Sequence, residues 1–249
     1  MSDVTPAQSA TGSARYVTHE ALAKCGRVLC AFSHFYLPFY GQNPRDLFWH
    51  FDPFAVISAS LYDVDEDIER GREPEDALGG LSELLAYLKT RITVDPYIAR
   101  LFDDARGYYR FEHAVTRRHM AFSIHDLVSM AMVRSFDFRI MHRVLAQTTT
   151  LGYRESLFDW FRAFELLMEI DDDIRSELED ECRNTFNILT LAKRCTPRSA
   201  SDFVEDLRRQ AEKDVNARRM VLSGTDSMLC ERVVELYREI VPRPPLAYP

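Results

Sequence analysis

Residues 158–190 read FDWFRAFELLMEIDDDIRSELEDECRNTFNILT, and the fold follows from the period at which greasy and acidic residues recur in this stretch. Stepping back from Asp172 four at a time meets Met168, Phe164 and Trp160; stepping forward by four meets Ser176 and Asp180. On an α-helix, side chains four apart share a face and drift by about 40° per step. One face is therefore aromatic towards its N-terminal end and oxygen-rich towards its C-terminal end. A carboxylate, a hydroxyl and a second carboxylate in a row offer hard oxygens to Mg2+, which keeps several waters and completes its octahedron with phosphate oxygens. Acidic rows also decorate merely solvated helix faces, so the surroundings decide. An apolar, aromatic run upstream of the row describes a greasy pocket with a metal-phosphate mouth.

The rest of the chain is written for helices. Glycine occurs nine times in 249 residues, and between Pro96 and Pro197 there is no proline and only Gly107 and Gly152 interrupt. Alternating strand patterns and Asn-Gly or Asp-Gly hairpin turns are absent from the sequence. The punctuation predicts helices near 18–36, 53–70, 75–91, 95–119, 123–149, 154–180, 184–195, 199–222 and 225–240. Asp52-Pro53 and Asp95-Pro96 each read as an N-cap followed by proline in the first helical position. Ser123 caps the next helix, Gly152 ends it, and Thr196-Pro197 separates the last ones. No linker divides the chain. The expectation is a single-domain, all-α antiparallel bundle over residues 15–249, after a disordered tail at 1–14 that has no large apolar residue apart from Met1 and Val4.

Composition bounds the partners. A net charge of −8 argues against nucleic-acid binding through phosphate neutralisation. Five cysteines without a CxxC pair suggest neither a disulfide framework nor a zinc site, and fit a reduced cytoplasmic setting. The N-terminus lacks the apolar core of a secretory signal, and no run of eighteen apolar residues would cross a membrane. His113 and His119 are six apart and share a helix face poorly, and no GxSxG, Walker, HExxH or GxGxxG motif is present.

A second acidic stretch closes the helix expected from Pro53, in SASLYDVDEDIERG at 58–71. Asp63 and Asp67 share a face, with Ala59 and Ala55 one and two turns before them; Asp65 and Glu66 are expected to point into solvent. Carboxylates at a helix C-terminus oppose the macrodipole, so four acids there call for a cation. Two acidic clusters facing each other across a bundle, over an apolar interior, would suit a diphosphate ester with a hydrocarbon tail.

At this point the chain resembles a class I terpene synthase. The second metal motif of that family, (N/D)Dxx(S/T)xxxE, matches Asp172-Asp173-Ile174-Arg175-Ser176-Glu177-Leu178-Glu179-Asp180, with aspartate in the last place, and the family's continuation is similar to NTFNILTLAKRCTPRSASDFVEDL. Its first motif, DDxxD, corresponds to Asp63-Val64-Asp65-Glu66-Asp67, with Val64 in place of the second aspartate. Its pyrophosphate sensor, linker and effector correspond to Arg134, Asp137 and Phe138 in MVRSFDFRI. Glu179 stands where the family usually carries lysine, and the C-terminal Arg-Tyr pair has only Arg243 and Tyr248 as counterparts.

The resemblance implies the class I isoprenoid synthase fold and a Mg2+-dependent carbon–oxygen lyase of secondary metabolism. Its substrate would be farnesyl or geranylgeranyl diphosphate, cyclised to a terpene with release of diphosphate. It implies Asp63, Asp67, Asp172, Ser176 and Asp180 as metal ligands and Arg134, Asp137 and Phe138 as catalytic. Arg175 and Arg183 would add positive charge at the diphosphate, and Tyr62, Phe136, Trp160 and Phe164 would wall the cavity. Prenyl diphosphate coupling enzymes share the fold; the serine at 176 and the scarcity of cations before Asp63 favour cyclisation. A noncatalytic helical interaction protein is the reading from another class. Self-association as a homodimer is left open, as are prenyl chain length and the quenching step.

Overall fold

The computed structural model describes residues 18–197 and 199–241, and those residues fold into helices joined by short turns. The N-terminal tail expected at 1–14 and the pair Arg243 and Tyr248 lie outside the described residues. In chain order the helices are α1 (His19–Phe35), α2 (Leu47–Glu69), α3 (Pro74–Ala77), α4 (Gly79–Lys89), α5 (Pro96–Thr116), α6 (Ile124–Val133), α7 (Phe136–Thr148), α8 (Glu155–Arg183), α9 (Ile188–Cys195), α10 (Ala200–Arg219) and α11 (Gly224–Ile240). Two 3-10 turns, Leu37–Tyr40 and Pro44–Asp46, link α1 to α2. No described helix is long and apolar enough to cross a membrane.

Several boundaries follow from local chemistry as expected. Asp95 accepts from the Ile98 N–H with Pro96 in the first turn of α5, and Ser123 and Asp126 form a reciprocal capping box at α6. Three others are corrected. The helix expected from Pro53 begins at Leu47, because the capped turn Asn43–Asp46 feeds straight into it; Pro53 lies inside α2 and leaves the Trp49 carbonyl without an intrahelical donor. Trp49 is 79% exposed, so water can serve that carbonyl. The helix expected over 123–149 breaks at Arg134–Ser135, where Ser135 takes ψ 38°. The helix expected from 184 starts at Ile188, because Asn184 ends α8 in the left-handed region at φ 57° and Asn187 caps α9.

The element that positions the rest is α8, which packs along α10 and also touches α6 and α9. One side of it is buried deeply enough to take acids with it: Glu165, Asp171, Asp173 and Glu177 are all at or below 3% exposure. A buried carboxylate needs a partner, and each has one from a different direction. Glu165 accepts from Arg139 of α7 at 2.6 Å and from the Tyr36 hydroxyl at 2.8 Å. Asp171 accepts from Arg208 of α10 at 2.5 Å and Tyr237 of α11 at 3.0 Å. Asp173 takes Arg134 at 2.5 Å and the Ile188 N–H at 2.7 Å, while Glu177 pairs with Lys193 of α9. These pairs tie four neighbouring helices and the α6–α7 break to one central rod.

Candidate functional site

The row foreseen on α8 is present. Ser176 Oγ donates to Asp180 Oδ2 at 2.5 Å and lies 2.9 Å from the Asp172 carbonyl oxygen one turn back. Asn187, whose position is set by its capping of α9, donates to the same Asp180 oxygen at 2.9 Å. Asp172 keeps 61% of its side chain in solvent and holds Arg175 at 2.9 Å. Its carboxyl is pushed up by partial burial and then by the charge of Glu169, and moderated by Arg134. Arg183 pairs with Glu179 at 2.7 Å on an exposed flank.

Arg134 stands at the break between α6 and α7. Its Nη1 and Nε meet Asp173 at 2.5 Å and Glu169 at 3.1 Å, and its guanidinium lies 5.4 Å from the Phe186 ring. Burial alone would disfavour its charge; Asp173 and Glu169 outweigh that and hold it protonated. Asp137, one turn further on, is buried, accepts from the Phe138 N–H at 2.7 Å and receives the Tyr62 hydroxyl at 3.4 Å. The fold thus joins Tyr62 of α2 to Asp137 and Arg134 to Asp173 and Glu169 in the middle of α8, while the Phe138 ring packs against Phe32 and Tyr36.

The predicted aromatic wall is placed differently from one residue to the next. Trp160 and Phe164 are fully buried and stacked on each other at 5.2 Å, with Phe39, Phe161, Phe35 and Tyr237 around them. Phe136 packs against Tyr108 and Tyr109. These rings cover one another. Tyr62 and Phe138 are only half-buried.

On α2 the expectation that Asp65 and Glu66 are solvated is corrected. Glu66 is 3% exposed, bonded to Thr18 and paired with Arg70; Asp65 is paired with Lys24 of α1. Asp67 is held by Arg72 at 2.6 Å, and Asp63 is half-buried. The α2 carboxylate that feels Asp180 and Arg183 is Glu69, pushed up to about 7 by burial and then by Asp65. Across from it, Glu112 of α5 is 4% exposed; its Oε1 accepts the Phe186 N–H at 3.1 Å and its Oε2 has no partner. Burial, then the charge of Asp65, raises Glu112 to about 8. Sequence reasoning missed Asp65, Glu69, Glu112, Glu169 and Asp173. A signal for the last two was present: Glu165, Glu169, Asp173 and Glu177 recur every four residues along a helix too apolar to be a surface one.

The acidic ends of α2, α5 and α8 therefore share one electrostatic neighbourhood, with Lys24, Arg134 and Arg183 as its cations. No three Asp, Glu, His or Cys side chains among the described residues converge closely enough to hold one ion unaided. Magnesium does not demand that: one or two carboxylates suffice when water and phosphate complete the shell. The hard oxygens of Asp172, Ser176 and Asp180 fit such an ion together with a phosphate. Comparison of the chain with protein-family models, curated proteins and solved structures gives no match.

Proposed function

We propose that this chain is a magnesium-dependent class I terpene cyclase acting on farnesyl or geranylgeranyl diphosphate. The observation that supports it is the oxygen row Asp172–Ser176–Asp180, kept on one face of α8 within the reach of Arg134's field. Bound Mg2+ would supply Lewis acidity to the diphosphate oxygens. Asp172, Ser176 and Asp180 would hold it from α8, and the acidic end of α2 would face it. Arg134, fixed by Asp173 and Glu169 and permanently charged, would stabilise the negative charge that builds on the departing diphosphate as the allylic C–O bond breaks. Tyr62 and Phe138 would present π-faces to the carbocation, worth about 0.5–2 kcal/mol each. Trp160 and Phe164 would back that wall from the core.

The test is incubation with geranyl, farnesyl and geranylgeranyl diphosphate in Mg2+, with mass spectrometry of the extract. A cyclic hydrocarbon or alcohol formed from one prenyl diphosphate, with diphosphate released, is the expected result. A product joining two prenyl chains would move the assignment to a coupling enzyme, and no turnover of any of the three would refute it. Asp172→Ala should abolish turnover while helical circular dichroism stays unchanged; retained activity would remove Asp172 from the site.

A further inference from the structure

We propose that the first turns of α2 form a self-complementary surface on which two copies of this chain pair antiparallel about a two-fold axis. The inference is independent of the proposed activity. Phe48 and Trp49 are the two most exposed large hydrophobic side chains among the described residues, at 77% and 79%, and their rings meet edge to face with centroids 5.6 Å apart. Phe51, 52% exposed, borders them. The core side of the same helix is already occupied: Phe54 and Ile57 are fully buried. Adjoining exposed rings mark a contact surface, whereas apolar residues exposed singly do not.

Charge identifies the partner. Arg45, Phe48, Trp49 and Asp52 follow one another at steps of three, one and three, so they lie along one exposed stripe with a cation at one end, an acid at the other and the rings between. Arg45 makes no ion pair among the described residues. Asp52 is 64% exposed, and Tyr87 and Arg91 both bond its Oδ2, which leaves Oδ1 for another donor. A two-fold axis through the middle of the stripe sets Arg45 of each copy against Asp52 of the other and packs Phe48 on Trp49 twice. An isologous contact requires that reciprocity; a lipid surface has no use for it. Rings at the centre with charges at the rim also match the anatomy of protein interfaces. At about 150–250 Å2 per buried aromatic side chain, the exposed parts of the three rings supply roughly 400 Å2 per copy, or about 800 Å2 for the pair. The exposed side chains of Arg45, Asp52 and Arg91 extend this towards the roughly 1,200 Å2 at which specific interfaces begin.

Sedimentation of the full chain between about 1 and 100 μM tests this, with tryptophan fluorescence read alongside. The chain has two tryptophans, and Trp160 is fully buried, so a change in emission reports Trp49. The monomer should give way to a species of twice its mass within that range, and Trp49 emission should move to the blue with it. Phe48→Gln with Trp49→Gln should weaken association at least about tenfold, because central aromatics carry most of the binding energy. Arg45→Glu alone and Asp52→Arg alone should each weaken it by about threefold or more, since each sets like charges together. Mixed in equal amounts, those two variants should regain wild-type affinity, because every charge pair across the axis is then opposite in sign again; that recovery also shows that both are folded. A monomer throughout the range, unchanged association in the Phe48/Trp49 variant, or no recovery in the mixture would each overturn the proposal. So would capture of a monomeric wild type by phosphatidylcholine vesicles through Trp49, which would give this face to a lipid surface.

Discussion

Asp137 is the residue whose behaviour depends most on its seat. It is 9% exposed, and it faces the carboxylates of Glu169 and Glu165 from α8, the Tyr62 hydroxyl from α2 and the Phe138 N–H from its own helix. Burial first, then the charge of Glu169, raises it to about 7. An acid raised in the folded state binds its proton more tightly there than in the unfolded chain. Its stabilising effect is complete below the ordinary carboxylate range and is lost as pH rises towards about 7. A rise of about three pH units corresponds to roughly 4 kcal/mol for the group acting alone. The melting temperature should therefore fall between pH 4.5 and 7.5, and Asp137→Asn should flatten part of that slope. An unchanged slope in the variant would mean that other groups carry the dependence.

At the scale of elements, α8 is held by ion pairs rather than by grease alone. Glu165 and Arg139 are 0% and 4% exposed, so removing one partner strands the other without water. Arg139→Met should cost about 3–5 kcal/mol, a loss readable in urea unfolding, whereas Arg183→Met, on the exposed flank with Glu179, should cost under about 1 kcal/mol. Equal losses would contradict the difference in burial. In α2, Pro53 interrupts the ladder in a solvent-open first half. Pro53→Ala restores a donor to the Trp49 carbonyl and should stabilise the chain by about 1–2 kcal/mol after the unfolded-state entropy is counted. Destabilisation would show that the ring itself packs.

At the scale of the whole molecule, the net charge of −8 and the crowd of carboxylates between α2, α5 and α8 make a bare anion a poor ligand. Pyrophosphate alone should leave the melting temperature unchanged, and Mg2+ with pyrophosphate should raise it. At a hundred times the dissociation constant the linkage is about 2.7 kcal/mol, or roughly 5–10 °C for a chain of this size. Ser176→Ala with Asp180→Asn should remove that shift. Stabilisation by pyrophosphate without metal would point to a cation-lined anion site instead.

What the sequence by itself determined is local. Scarce glycine, a proline-free stretch between Pro96 and Pro197 and capping residues such as Asp95 and Ser123 set the helical character and several helix starts, because caps and helical period act within four residues. The same period set the row Asp172, Ser176 and Asp180. Which face of α2 looks inward was decided only in three dimensions. Both faces of that helix carry acids, so its pattern could not say which partners they would find: Lys24 of α1 takes Asp65 and Glu69, and Arg72 takes Asp67. The pairing of Glu165, Asp171, Asp173 and Glu177 was settled the same way, because a charge can enter a core only where a distant part of the chain brings its counter-charge.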